Sequence, residues 1–309
     1  MGSFILKGDI CYSESKEKMN IQKKGYLVIE DGKTAGVFDK IPIRYRESEV
    51  VDYSGKLILP GLTDLHIHAP QYAFRGIGMD KELLDWLNSE TFKEERKYEN
   101  LDYAKKAYEI FAEAMKKSAT TRACIFGTLH READVVLAEK IEESGLKAMV
   151  GKVNMDRNCP DYLCEKSWEE SIADTEKFIE DLKKFKNVRP IITPRFVPSC
   201  TDELMAGLKE IIEKNNVPVQ SHLSENPEEI KLVKSLCPDC ETYADVYDKY
   251  GMLSGTSIMA HCVHLPEREI ELLKKTGTFV AHCPESNMNL ASGIAPIARL
   301  LEEGIEVGL

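Results

Sequence analysis

Hydrophobic and polar positions repeat with two different periods along this chain, and the change falls at Pro60. Before it, short runs rich in β-branched and aromatic residues are separated by turn signals. Residues 4–12 read as a strand. Residues 26–29 and 35–38 flank Glu30-Asp31-Gly32-Lys33, where Asp-Gly predicts a hairpin turn. Residues 50–53 and 56–59, on either side of Ser54-Gly55, read as two more strands. This pattern predicts the N-terminal part of a small β-sandwich over 1–60, too small to bury a full core alone.

After Pro60, short apolar runs alternate with amphipathic helical stretches, the signature of repeated β-α units around a parallel sheet. Strands are expected at 62–68, 120–127, 147–153, 190–196, 217–223, 257–262 and 278–283, with an eighth opening at 305–309. Helices are expected at 102–117, 133–144, 168–185 and 202–214. The first carries Tyr103, Ala107, Ile110, Phe111 and Ala114 at helical spacing. Asn226-Pro227-Glu228-Glu229 and Pro266-Glu267-Arg268-Glu269 each read as a helix start. The fold class is therefore α/β: a (β/α)8 TIM-type barrel over 61–309, whose site is expected at the C-terminal ends of its strands.

Composition narrows the function. Of 309 residues, 43% are hydrophobic, enough for a sizeable core. Lys and Arg number 41 against 52 Asp and Glu, a net charge of −11, which excludes a non-specific nucleic-acid binder and fits a small neutral or cationic substrate. No apolar run reaches the roughly 18 residues of a membrane span, and the N-terminus lacks the order of a signal peptide. The nine scattered cysteines suggest reduced thiols in a cytoplasm rather than a disulfide framework. Cys237-Pro238-Asp239-Cys240 has no second pair and reads as a chance feature, not a zinc knuckle.

Four of the seven histidines fall at predicted strand ends. His66 and His68, two apart at the end of strand one, share a face. His222 ends strand five and His261 ends strand six. Neutral imidazoles grouped in this way suit zinc, with one coordination position left for water. His66, His68 and His222 are the expected metal ligands. Glu225, three residues past His222, is placed to move a proton without being a ligand. Gln71 follows the first pair by three residues. Arg195-Phe196 ends strand four and offers a donor fork beside an aromatic face, suited to a flat heterocycle. The plainer reading of Arg195 pairs it with a loop acid such as Asp156 or Asp202. His130 reads as lining the mouth or as a surface loop residue, His264 as a loop residue, and His282 as pocket wall or support.

At these residues the sequence resembles the amidohydrolase superfamily. The motifs are Pro60-Gly61-Leu62 before His66-x-His68, Ser221-His222-x-x-Glu225, Ala260-His261-Cys262 and His282-Cys283-Pro284-x-Ser286-Asn287. His68-Ala69-Pro70-Gln71-Tyr72-x-Phe74, Leu84-x-Trp86-Leu87, Val150-Gly151-Lys152-Val153-x-Met155-Asp156 and Thr193-Pro194-Arg195-Phe196 resemble its guanine deaminase branch. That resemblance implies hydrolytic deamination of guanine to xanthine and ammonia in purine catabolism. It implies one Zn2+ per subunit, or Fe2+, on His66, His68, His222 and a strand-eight aspartate. Glu225 would shuttle the proton, and His261 would contact the metal or its water. Gln71, Arg195 and Phe196 would hold the purine, with His68, His222 and Glu225 also facing it. The implied partners are guanine and water, in a cytoplasmic homodimer.

The aspartate would follow Leu309, where the sequence given stops. These 309 residues alone are therefore expected to be poorly soluble and inactive. Two other classes compete: a related amidohydrolase acting on another heterocycle or nucleoside, with a different wall at Gln71 and Arg195-Phe196, and an inactive scaffold, which would have lost its ligands.

Overall fold

The computed structural model describes residues 2–15 and 17–309. The chain divides into two compact units, Met1–Leu62 and Thr63–Leu309. In the first, β1 (Ser3–Ser13), β2 (Met19–Glu30), β3 (Lys33–Phe38) and β4 (Glu49–Ile58) form one sheet in the order β3-β2-β1-β4. The expected hairpin is present. Glu30 pairs with Lys33, and Asp31 and Gly32 both take positive φ (50° and 76°), as the primed turn requires. Ser54-Gly55 does not separate two strands. β4 runs through it, Gly55 takes a φ of 80°, and the register against β1 shifts between Lys7 and Asp9. Glycine absorbs this irregularity without ending the ladder. Ile5, Val28 and Tyr45 form the small core.

The second unit carries β5 (Leu62–His68), β6 (Thr120–Phe126), β7 (Lys147–Gly151), β8 (Val153–Asn154), β9 (Val188–Pro190) and β10 (Thr193–Pro194). These are followed by β11 (Val219–Leu223), β12 (Ser257–His261), β13 (Phe279–Ala281) and β14 (Val307–Gly308). One sheet runs β5-β6-β7-β9 and another β11-β12-β13-β14. Backbone hydrogen bonds join them at both margins. Ile192 bridges Val219, with Gln220 N donating to the Ile192 carbonyl at 2.9 Å, and Leu65 N donates to the Leu309 carbonyl at 2.7 Å. The strands so linked make the ring of a (β/α)8 barrel.

Two short helices, α1 (Leu83–Trp86) and α2 (Phe92–Glu95), precede the long α3 (Leu101–Lys116). Then come α4 (Arg131–Ser144), α5 (Trp168–Leu182), α6 (Asp202–Asn215), α7 (Pro227–Leu236), α8 (Tyr243–Lys249), α9 (Glu267–Thr276), α10 (Pro284–Asn289) and α11 (Ile297–Glu302). Their starts follow the sequence signals: Asn100 accepts from Asp102 N and Tyr103 N, and Asn226 with Glu229 forms a capping box. On α3, Phe111 is buried and Tyr103 and Ala107 pack against the core as their spacing suggests, and the departure is at Ile110. Ala104, Tyr108, Phe111, Ala112 and Met115 face the core, whereas Ile110 is 53% exposed. Tyr108 decides this, because its large ring is fully buried and its hydroxyl reaches Asp134 Oδ1 at 3.4 Å.

Inside the ring the strands lie close. A Cβ on Gly151, at the end of β7, would be driven into Thr193 Oγ1 and would come within 2.9 Å of Gln220 Nε2. Cysteine chemistry differs from expectation at one place: Cys159 and Cys164 are joined in a disulfide across a Cα–Cα distance of 5.5 Å. The helical turn Asp161–Leu163 between them brings the two together. Cys237 and Cys240 are free thiols, and Cys237 caps the end of α7. Among the described residues, no helix is long and apolar enough to cross a membrane.

Candidate active site

Strand ends build the site. β5 delivers His66 and His68 to one face, β11 delivers His222, and β12 ends on His261. Their rings pack against one another, with centroids of His66 at 4.8 Å from His222 and 5.2 Å from His261. Phe126, the last residue of β6, stacks on His68 at 4.4 Å. The four imidazoles line a cavity of about 780 Å³ with Gln71, Arg195, Phe196, Glu225 and His282. That volume lies within the range of small-molecule sites.

The donor set fits a metal ion. Burial first, then the neighbouring imidazoles, hold His66 well below the ordinary imidazole range. Burial, neighbouring imidazoles and the Arg195 cation lower His68, and burial and His261 lower His222 against its bond to the Arg195 carbonyl. Burial also lowers His261, against its bond to Asn287. All four are therefore neutral and carry a lone pair. Hydrogen bonds choose which nitrogen bears it. His222 Nδ1 donates to the Arg195 carbonyl at 2.6 Å, and His261 Nδ1 to Asn287 Oδ1 at 2.8 Å, which leaves each Nε2 bare. The ligand nitrogens of His66, His222 and His261 lie within 4.8 Å of one another. His68 Nε2 stands 3.1 Å from His222 Nε2, near the roughly 3.3 Å expected between two nitrogens on one tetrahedral zinc. The trio read from the sequence, His66, His68 and His222, is thus joined by His261 as a fourth imidazole.

Glu225 lies just past β11, where Ser224 takes a φ of 48° and turns the chain. Its Oε2 is 3.4 Å from His261 Nε2, and Ser292 Oγ donates to its Oε1 at 3.3 Å. Burial pushes its carboxyl up to about 8. Behind it, Glu229 accepts from Glu225 N at 3.1 Å and from the Tyr243 hydroxyl at 2.8 Å. Tyr247 braces the metal side of the cavity, bonding the Ser221 hydroxyl at 2.7 Å and the His222 carbonyl at 2.8 Å.

Opposite stands a polar wall. Arg195 is buried, and its acid partner is neither Asp156 nor Asp202. Asp156 is engaged by Thr201 and Asp202 by Lys249. Arg195 Nη1 and Nη2 instead meet Glu95 Oε2 and Oε1 at 2.6 and 3.1 Å, with the guanidinium 5.1 Å from the Phe92 ring centroid. Gln71 Nε2 donates to Glu95 Oε1 at 3.3 Å. Phe196 packs with Phe74, Trp86 and Phe92. Arg195 thus serves both sides: its carbonyl fixes His222 and its guanidinium faces the wall.

Of the remaining histidines, His282 lines the cavity, while His264 Nε2 bonds the Ser292 carbonyl at 2.7 Å and ties down the loop beneath Glu225. His130 precedes α4 and is outside the cavity wall. Sequence reasoning missed Glu95 and Ser292 and assigned no role to Tyr247. Asn287 lay in a quoted motif, but its contact with His261 was not legible. Glu95 had no local signal, since residues 83–99 are broken into short helical turns of changing pitch.

Residues 57–309 match the amidohydrolase family, and the chain belongs to it. Among curated proteins, it is 46% identical over 258 residues to the probable guanine deaminase of Schizosaccharomyces pombe, covering 82% of this chain and 49% of that protein. It is 39% identical to the guanine deaminase of Escherichia coli, covering 92% of this chain and 65% of that one. The chain therefore spans about half to two thirds of the length of these relatives. A crystal structure of guanine deaminase from C. acetobutylicum with guanine bound in its active site superposes with a TM-score of 0.96 at 47% identity, covering 99% of this chain and 73% of that one.

Proposed function

We propose that the protein is a guanine deaminase, converting guanine and water to xanthine and ammonia with one zinc ion per chain, in the cytoplasm. The observation that carries this reading is the pairing, in one cavity, of four neutral imidazoles and Glu225 with a donor wall of Arg195 and Gln71. The relatives named above support the same reaction. His66, His68 and His222 would hold the metal, and His261 would face the coordination position left for water. When bound in such a set, zinc brings the pKa of water to about 7 and makes hydroxide available at neutral pH.

The protein's own groups do the rest. In its ionised form Glu225 takes a proton from water and gives it to the ring nitrogen beside the carbon bearing the amine, then assists the amine as it leaves. Ser292 and the turn at Ser224 hold that carboxyl against the cavity. Phe196 offers a flat apolar face. Arg195 and Gln71 donate to O6. A guanidinium has five N–H donors and Glu95 engages two, so donors remain for the purine. Adenine presents a donor where guanine presents O6, and would leave these buried donors unpaired.

The test is ammonia release from guanine, adenine and cytosine by the metal-loaded full-length protein. Guanine is expected to exceed adenine by about 10⁴-fold in kcat/KM, the scale set by unpaired polar groups. Equal rates on adenine, or faster release from another heterocycle, would replace guanine as the substrate.

A further inference from the structure

From the buried contacts of Glu95, we propose that this carboxylate is a positioning residue that sets the substrate wall, holding the Arg195 fork and the Gln71 amide in the orientation that reads an oxo-purine. The inference rests on the proposed reaction and adds to it a residue that touches neither the metal ligands nor the reacting carbon. Glu95 is 2% exposed and Arg195 equally so, and they meet in a two-point contact at 2.6 and 3.1 Å. A bidentate carboxylate fixes both the plane and the rotation of a guanidinium. An unconstrained arginine side chain would sample many rotamers in a cavity of this size.

The same carboxylate also sets the polarity of Gln71. A carboxylate can only accept, so the amide turns one N–H of its nitrogen to Glu95 and keeps the second N–H for the purine. One acid thereby decides what two reading groups display. Its local structure supports the role. Glu95 closes α2, directly after a wide π-helical turn over Leu87–Thr91. Such turns re-aim the residues beyond them and recur at functional sites. Phe92, on the same short helix, lies under the guanidinium.

The experiment compares the full-length wild type with Glu95→Gln, Glu95→Asp and Arg195→Ala. It combines crystal structures with steady-state kinetics on guanine. Glu95→Gln keeps the shape but replaces one accepting oxygen by a donor. Glu95→Asp keeps the charge, withdraws it by one methylene, and serves if the Gln variant does not fold. Either variant is expected to show the Arg195 guanidinium displaced from its wild-type place. KM for guanine should rise about tenfold or more, while kcat changes by less than about threefold. Glu95→Gln should also erode the preference for guanine over adenine by about tenfold.

Arg195 unmoved in the variant, or kcat falling with KM unchanged, would overturn the inference. A merely structural Glu95 would lower thermal stability without that KM shift or loss of discrimination. Failure of the reaction itself is separable: a wild type that does not deaminate guanine contradicts the proposed substrate, while the position of Arg195 in the variants still decides the role of Glu95.

Discussion

Glu225 combines full burial with two defined neighbours, His261 Nε2 at 3.4 Å and the Ser292 hydroxyl at 3.3 Å. A carboxyl placed in this way can accept and return a proton, whereas an amide of the same shape cannot. Glu225→Gln is therefore expected to keep its metal content and lose about 10²- to 10⁴-fold in kcat on guanine. Metal analysis beside turnover checks this, and a near-normal rate would remove Glu225 from the proton path. Residues of this kind were legible in the sequence because each stands next to a strand end. The pair His66 and His68, the pair His222 and Glu225, and His261 are separated by long stretches of chain, yet the barrel rule brings them to one mouth. Glu95 was not legible, because its partner lies 100 positions away and its own segment carries no clean period. The alternatives Asp156 and Asp202 were nearer in sequence to Arg195 and engage other residues in space.

At the scale of elements, the strand and helix order was readable from the change of period at Pro60, and most spans agree to within a few residues. The misreadings have common causes. Ser54-Gly55 looked like a turn but is an irregularity inside β4, since glycine permits both. Of the α3 residues read at helical spacing, Phe111 is buried and Tyr103 and Ala107 pack against the core, whereas Ile110 is exposed because packing of the Tyr108 ring settles the rotation. The partner of Tyr108 gives a test. Asp134, in the first turn of α4, is fully buried, accepts from Thr128 N at 2.8 Å, and is held by burial well above the usual carboxylate range. A carboxyl raised on folding binds its proton more tightly in the folded state. Its contribution to stability is complete below the unfolded value near 3.8 and is lost as pH rises from there toward the folded value. Asp134→Asn keeps an accepting oxygen and removes the titration. Relative to wild type, the variant should gain stability with rising pH, by at most about 1.4 kcal/mol per unit for one proton. Urea denaturation at a series of pH values above 4 reads this directly, and a difference independent of pH would contradict it.

For the molecule as a whole, the account joins two halves of one cavity through a single residue. The Arg195 carbonyl fixes His222, and the Arg195 side chain pairs with Glu95 in the polar wall. A net charge of −11 supplies no long-range attraction for a neutral ligand, so selection falls to this cavity. Membership of the amidohydrolase family agrees with the fold class read from the alternation of strands and helices. The central claim is that metal held by these imidazoles makes the site a guanine deaminase. It is tested most directly by stripping the full-length protein of metal and adding zinc back in steps while following ammonia release from guanine. The account predicts negligible turnover without metal, a linear rise that saturates at one zinc per chain, and no such rise in a variant with His66 and His222 both changed to alanine. Full turnover by the stripped protein, or saturation that survives loss of both histidines, would contradict it.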